Sequence, residues 1–541
     1  MKFHSRFIIK QIAAILAAML VFFAVTGCES EDSTLSEREA LRDELYGTVE
    51  LPTGDEEVTS YDATTSNFTI AYSKSDAINP YFSTSTLNAV MSDLMYDSLI
   101  AVNSEFEADM VIAQSITKLS GRIYQVTIRS GVVFSDGSPV TGFDVKYSFD
   151  LAKASDTRYK AQLASITSCT ATETTATFRI EQLDPRAYML LDFPIVKLDT
   201  AQTKDHIPVG SGRFYYHSDP ETGTYLLRNP RWYNPSVPTV ERISLVTMPT
   251  VESIVHSIEI GTVSYYYTDL RDGYPARINA NYAMVDINNL VYLGVNTNDA
   301  RLQNSDVRHA ISYAINREEV SSNAYSGRAY AATGPLTTSW PEAAGAQFGS
   351  TLSSEASAIS SLTNAGYVNQ DENYIRYSID GTKKLNFNLL VNGDNSLQLA
   401  AAQSIMQQLR KVGINITITQ TGYADYLARI NAGNYQLYLG EYALLNNMDF
   451  SMLFTPGKGY YTGPVPTDTI NSYNNYLGGA VELSAVMESF EADLPFIPVC
   501  YRLGMVCYTR SLIANMDVTE SDYFMNMHLW EPTLAEKEAA E

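Results

Sequence analysis

Between residues 123 and 152 the spacing of apolar positions changes from two to roughly three and a half. Tyr124, Val126 and Ile128 alternate with Gln125, Thr127 and Arg129, the repeat of a half-buried strand. Asp136-Gly137 marks a turn, because glycine takes positive φ at no steric cost. Val145, Phe149 and Ala152 then recur at helical spacing. Thr141 and Asp144 stand three apart at the head of that run, a Thr-x-x-Asp pair that satisfies the first free amides of a helix. The pattern predicts strand, turn and capped helix, with no nucleophile–base pair and no set of metal ligands.

The two periods continue through the chain. Residues 68–72 read as a strand, Asn79-Pro80 as a turn, and Leu87, Val90, Met91, Leu94 and Met95 as one helix face. Strands follow at 175–180, around Phe214 and Tyr216, around Tyr225 and Leu227, at 243–246 and at 293–296. A helix is predicted over 306–318, with Val307, Ile311, Ala314 and Ile315 on one side. Asp380-Gly381 predicts a hairpin between 374–379 and 385–391. Residues 399–412 form an amphipathic helix closed by Gly413, followed by alternating Ile414, Ile416 and Ile418. A helix at 423–432 stops at Gly433, and a strand occupies 435–439.

The N-terminus departs from this pattern. Lys2, Arg6 and Lys10 precede an apolar run from Ile12 to Val25, and Val25-Thr26-Gly27-Cys28 matches a lipobox. The run is too short and wrongly flanked for a dedicated membrane span. Residues 1–27 are therefore expected to be a lipoprotein signal peptide and Cys28 the lipid attachment site. Residues 29–60 carry eleven acidic and two basic residues with little apolar periodicity, the composition of a solvated tether. The formal charge of −24 becomes −27 once the leader's three basic residues are gone. That balance argues against nucleic acid, whose phosphates demand a positive surface.

Catalytic chemistry finds little support. The six His are scattered, and Cys and His never cluster at zinc spacing. Ser115-x-x-Lys118 lacks a companion Lys-Thr-Gly, and no Gly-x-Ser-x-Gly elbow occurs. Gly210-Ser211-Gly212 lacks the third glycine or Lys-Ser/Thr of a phosphate loop. Binding is favoured over catalysis, with no cofactor and no protein-built metal site. Cys500 and Cys507 flank Leu503-Gly504; a hairpin turn there would set them face to face for a disulfide, and otherwise they are buried thiols.

Four ordered elements carry a resemblance. Phe134-Ser135-Asp136-Gly137-Ser138-Pro139-Val140-Thr141-x-x-Asp144-Val145 resembles the signature of the peptide/nickel class of extracytoplasmic solute-binding proteins (family 5), which feed ABC importers. Pro208–Phe214 with Arg228-Asn229-Pro230-x-Trp232-Tyr233, Val307-Arg308-x-Ala310-Ile311 through Arg317, and the helix–Gly–strand series of 399–439 are similar to further family elements. Departures occur at Arg213, where Pro is usual, at the reversed order of Trp232-Tyr233, at Gly261–Tyr265, where the family's Gly-x-x-Asp is altered, and at Asn316, where Asp is usual.

The resemblance implies an α/β, two-lobed periplasmic-binding-protein-like fold of the class II type with an extra subdomain on the first lobe. Its expected boundaries are 61–104 and 205–288 for the first lobe, 105–204 for the subdomain, 289–480 for the other lobe, 481–530 for a return to the first, and 531–541 for an acidic tail. It implies a monomer held outside the cytoplasm by its lipid, passing a peptide or similar amine-bearing solute to permease and ATPase subunits. A non-peptide ligand (metal chelate or oligosaccharide), a sensing lipoprotein and a surface hydrolase are the alternatives. Peptide-binding members often carry an Asp for the ligand's amine where this chain has Leu445. Glu441 or Asp449 is the candidate replacement, with Tyr442, Asn446 and Asn447 lining the cleft and Phe82, Trp340 and Tyr266 as further candidates. Three consecutive tyrosines in a strand cannot all face one cleft: Tyr265 and Tyr267 share one side and Tyr266 takes the other.

Overall fold

The computed structural model describes residues 68–221, 223–270, 278–345 and 348–532. The leader, Cys28, the tether and residues 533–541 of the expected acidic tail lie outside them.

The stretch at 123–152 folds as its pattern dictates. Strand Ile123–Ile128 buries Tyr124, Val126 and Ile128, and Gly137 turns the chain at φ +89°. The Thr141 amide and hydroxyl both donate to Asp144 Oδ2, at 2.8 and 2.6 Å. Helix Gly142–Ala154 buries Val145, Phe149 and Ala152. It packs on a four-stranded sheet ordered Ala113–Ser120, Ile123–Ile128, Thr175–Ile180, Ile166–Ala171, and together these form the subdomain.

The larger sheet runs through both lobes. Its order is Asn415–Thr421, Asn386–Asn392, Leu437–Ala443, Asn281–Val295, Phe496–Tyr508, Tyr265–Thr268, Thr69–Tyr72, Arg242–Thr247, Gly223–Arg228 and Phe214–Asp219, with Ala329–Ala331 added beside Phe496–Tyr508. The two long central strands, antiparallel to each other, pass from one lobe to the other. Residues 281–286 pair with 503–508, and 289–294 pair with 496–502. Between these ladders Ile287 and Asn288 have no counterpart opposite, and Asn288 sits at φ +47°. This is a bulge with two surplus residues, where strands bend most readily.

Several expectations are corrected here. Leu503-Gly504 is not a turn: Phe496–Tyr508 is one continuous strand. Cys500 and Cys507, seven residues apart on it, point to opposite faces roughly 23 Å apart at strand rise, and both are buried without a disulfide between them. Gly504 is small for another reason, since a Cβ there would lie 2.9 Å from Ile287 Cγ2. Helix Leu483–Asp493 packs on Thr467–Leu477, and residues 496–502 pair with 289–294. The helix expected over 306–318 is two, Ser305–Ala314 and Arg317–Ala324; Asn316 caps the second by accepting from the Glu319 amide at 3.0 Å. Gly210 and Gly212 serve packing: a Cβ at either would meet the carbonyl group of Met95 within 2.4 Å.

Candidate functional site

Three parts of the chain meet beside the crossing strands: the subdomain's exit loop, the segment after strand Leu437–Ala443, and the crossing itself. The exit loop is shaped locally, the Arg186 amide donating to Asp184 Oδ1 at 2.8 Å. Opposite, Met448 at φ +60° turns the segment 444–449 back on itself. Asn447 Nδ2 donates to Asp184 Oδ2 at 2.7 Å, and Asn446 Nδ2 to Asp192 Oδ2 at 2.9 Å. Arg186 donates to the Asn446 carbonyl at 3.3 Å and stacks its guanidinium over buried Trp340 at 4.4 Å. Subdomain and second lobe are thus latched by two amide–carboxylate bonds and one cation–π contact. Burial raises the Asp184 carboxyl, with neighbouring Asp449 adding to the effect, while Asn447 and Arg186 pull it back. Burial pushes Asp192 up to about 6 against the pull of Arg158.

Glu441 is already compensated. Its Oε2 lies 3.1 Å from Nε of Arg502, a side chain 2% exposed. That N–H is not aligned for a hydrogen bond, so the attraction is between charges. Arg502 Nη1 donates to the Asp269 carbonyl at 3.0 Å, and Nη2 is buried without a partner. Asp449 accepts from Tyr473 OH at 2.8 Å and the Ser451 amide at 2.9 Å. At the crossing, Asp286 Oδ2 accepts from Tyr330 OH at 2.8 Å, Thr337 Oγ1 at 3.2 Å and Ser339 Oγ at 2.6 Å, and its Oδ1 from the Asn288 amide at 2.9 Å. A cavity of about 50 Å³ opens there between Asp286, Asn288, Phe106, Leu444, Asn446 and Glu520.

Glu441 and Tyr442 lie near the end of strand Leu437–Ala443, and Asn446, Asn447 and Asp449 in the segment after it, with Trp340 beside the latch; Tyr442 packs edge-on to Tyr460 at 5.4 Å. The other two candidates lie elsewhere. Phe82 is an exposed residue of the Asn79-Pro80 turn. Tyr266 packs with Ile254, Ile258, Met505 and Cys507 in a separate apolar cluster, because alternation sends it to the opposite face from Tyr265 and Tyr267. It is Tyr267 whose hydroxyl reaches Glu520, at 2.8 Å, beside the cavity. Asp184, Arg186, Asp192, Asp286, Asn288 and Arg502 went unsingled in the sequence. Asp184 and Asn447 stand 263 positions apart, and no local spacing signals such a pair.

Two departures from the resemblance prove to be neighbours. Arg213 is ion-paired with Asp522, donates to the Phe524 carbonyl and lies 5.6 Å from the Trp232 ring. Trp232 Nε1 in turn donates to Asp97 Oδ1 at 3.4 Å, and Ser211 Oγ to Asp97 Oδ2 at 3.0 Å. Burial pushes Asp97 up to about 6, against the pull of Arg213. Asp97, Arg213, Trp232 and Asp522 line a cavity of about 220 Å³. Among the described residues no cluster of three or more His, Cys, Asp or Glu could hold a metal ion, and no helix is long and apolar enough to cross a membrane.

Comparison with known proteins agrees with this architecture. The oligopeptide-binding protein AppA of Bacillus subtilis is 23% identical over 382 residues, 66% of this chain and 69% of that protein. The glutathione-binding protein GsiB of Salmonella typhi is 23% identical over 284 residues, 50% of this chain and 54% of that protein. The unliganded open form of MppA, a periplasmic murein tripeptide-binding protein, superposes with a TM-score of 0.70 at 14% identity, covering 86% of this chain and 97% of that one; at that identity the likeness concerns the fold. The family model of bacterial extracellular solute-binding proteins, family 5 middle, matches residues 111–460. With two α/β lobes on one shared sheet and a subdomain latched across them, the chain belongs to the bacterial extracellular solute-binding proteins, family 5.

Proposed function

We propose that this protein is the substrate-binding subunit of an ABC importer, capturing peptides or similar amine-bearing solutes between its lobes and delivering them to a membrane permease. The observation that carries the reading is the latch: Asp184, Asp192 and Arg186 of the subdomain hold Asn446, Asn447 and Trp340 of the second lobe beside a two-residue bulge in the crossing strands. A latch next to a bendable joint is what capture by closure requires, the ligand stabilising the shut state. The peptide and glutathione specificities named for the two relatives support the solute class. Glu441, Tyr442, Asn446, Asn447, Asp449 and Trp340 form the wall of the cleft in this reading. The lipobox at Val25–Cys28 supports attachment through lipid on Cys28, outside the cytoplasm.

The mechanism makes and breaks no bond. Native mass spectrometry of the purified protein, with identification of whatever co-purifies, tests it directly. A peptide pool released on denaturation is the expected result. Recovery of a sugar or a metal chelate instead would overturn the solute class. Turnover of amides or esters abolished by a single Ser substitution would overturn the binding role itself.

A further inference from the structure

If the ligand carries an amine, as the reading above holds, the residues first suggested by position are poorly suited to receive it. Glu441 faces the guanidinium of Arg502. Asp184 lies beside Arg186, and the space left between them and Trp340 is only about 10 Å³; Asp449 is taken by Tyr473 OH and the Ser451 amide. Each place already has a protein partner.

The crossing of the two lobes is different. Its cavity of about 50 Å³ admits an ammonium head group and a water or two, on the order of what polar cavities of that size hold. Asp286 Oδ1 receives only the Asn288 amide. Asn288 is 2% exposed, lines the cavity, and its Oδ1 has no partner. The orientation of that amide is fixed by its other end, since Nδ2 donates to the Leu444 carbonyl and to Met448 Sδ, each at 3.3 Å. A buried acceptor left unpaired is costly, and here it stands two residues from a carboxylate.

We propose that this cavity, between Asp286 and Asn288, receives a protonated amine of the ligand. An ammonium brings three donors and no acceptor, the complement of Asp286 Oδ1 and Asn288 Oδ1. A ligand carboxylate at the same spot would meet like charge. The walls come from both halves of the molecule, Asp286 and Glu520 from the first lobe and Leu444 and Asn446 from the second. An amine held there therefore binds across the joint, and its charge contributes to closure as well as to affinity. The missing Asp at Leu445 is then no loss of amine recognition but its displacement to the joint.

The test is competition. Wild type, Asp286→Asn and Asn288→Gly are each mixed with an equimolar pool of short peptides, half with a free N-terminus and half N-acetylated, and the bound fraction is read by native mass spectrometry. Glycine keeps the positive φ of position 288 without strain while removing the carbonyl. Wild type is expected to prefer free amines by about tenfold, the scale of one charged hydrogen bond. Each variant should bring that ratio to about threefold or lower while still capturing the acetylated members, which reports an intact fold. A preference unchanged in both variants overturns the subsite alone. Capture of neither peptide class by wild type overturns the peptide reading and the subsite with it.

Discussion

The stretch Phe134–Val145 and the junction around Asn446–Asn447 are both polar, both turn-rich, and opposite in how they are finished. In the first, polar groups find partners close by: Asp144 takes the Thr141 amide and hydroxyl, and Asp136 Oδ1 takes the Ser138 amide and hydroxyl. None of its buried side-chain atoms lacks a partner. At the junction Arg186 Nε, Asn288 Oδ1, Asn289 Oδ1, Asn447 Oδ1 and Arg502 Nη2 are all buried without one. A saturated network specifies one arrangement, whereas an unsaturated one leaves free energy for a second arrangement or a bound group to claim. The contrast separates scaffold from moving part.

The strongest way to break that contrast is to remove one buried charge at the junction and one away from it. Arg502→Leu leaves Glu441 facing no cation and should destabilise the protein by about 3–5 kcal/mol in urea unfolding, with much of the loss restored by adding Glu441→Leu. Arg213→Met strands Asp522 and Asp97 and should cost stability of the same order. Only Arg502→Leu should also alter ligand capture by the folded fraction; an equal change in Arg213→Met would show that a buried unpartnered group, of which Arg213 Nε is one, matters wherever it lies and not at the junction alone.

Protonation gives a subtler probe. Asp97 and Asp192 each titrate near 6 in the folded chain and near 3.9 when unfolded. Between those values the folded state holds protons that the unfolded state has lost, so stability falls as pH rises from about 4 to 6 and levels off above. Asp97→Asn and Asp192→Asn should each flatten that slope in unfolding measured across the window, by up to about one proton per site. Smaller still is the latch contact: a double-mutant cycle on Arg186→Met and Trp340→Leu should give a coupling of about 1 kcal/mol in ligand affinity. Thr141→Ala should cost about 1 kcal/mol of stability through the lost cap and leave affinity unchanged. An affinity loss there, with folding intact, would put the scaffold in the site.

What could be read in the sequence follows the same division. Thr141 and Asp144 are three residues apart, and Gly137 sits inside its own turn, so local spacing revealed them. The order of strands and helices was legible through periodicity, and the two-lobed architecture through ordered resemblance. Leu503-Gly504 looked like a hairpin because glycine marks turns as well as close approaches, and only the neighbouring Ile287 tells which applies. The tyrosine run at 265–267 offered two faces without saying which was inward. Arg186 with Trp340, and Asn446 with Asp192, meet only because the subdomain folds back on the second lobe. Nothing local encodes that.

The bulge at the joint has a consequence for protein engineering. Three steps on one strand, Asp286 to Asn289, face a single step on the other, Leu503 to Arg502. The surplus is an even number of residues, so excising Ile287 and Asn288 would leave every remaining side chain on its original face and close this gap in the ladder, leaving only the irregularity at Val291–Tyr292. The product would have a stiffer joint, and comparing it with Asn288→Gly, which removes the same side chain but keeps the bulge, would isolate how far capture depends on movement of the walls.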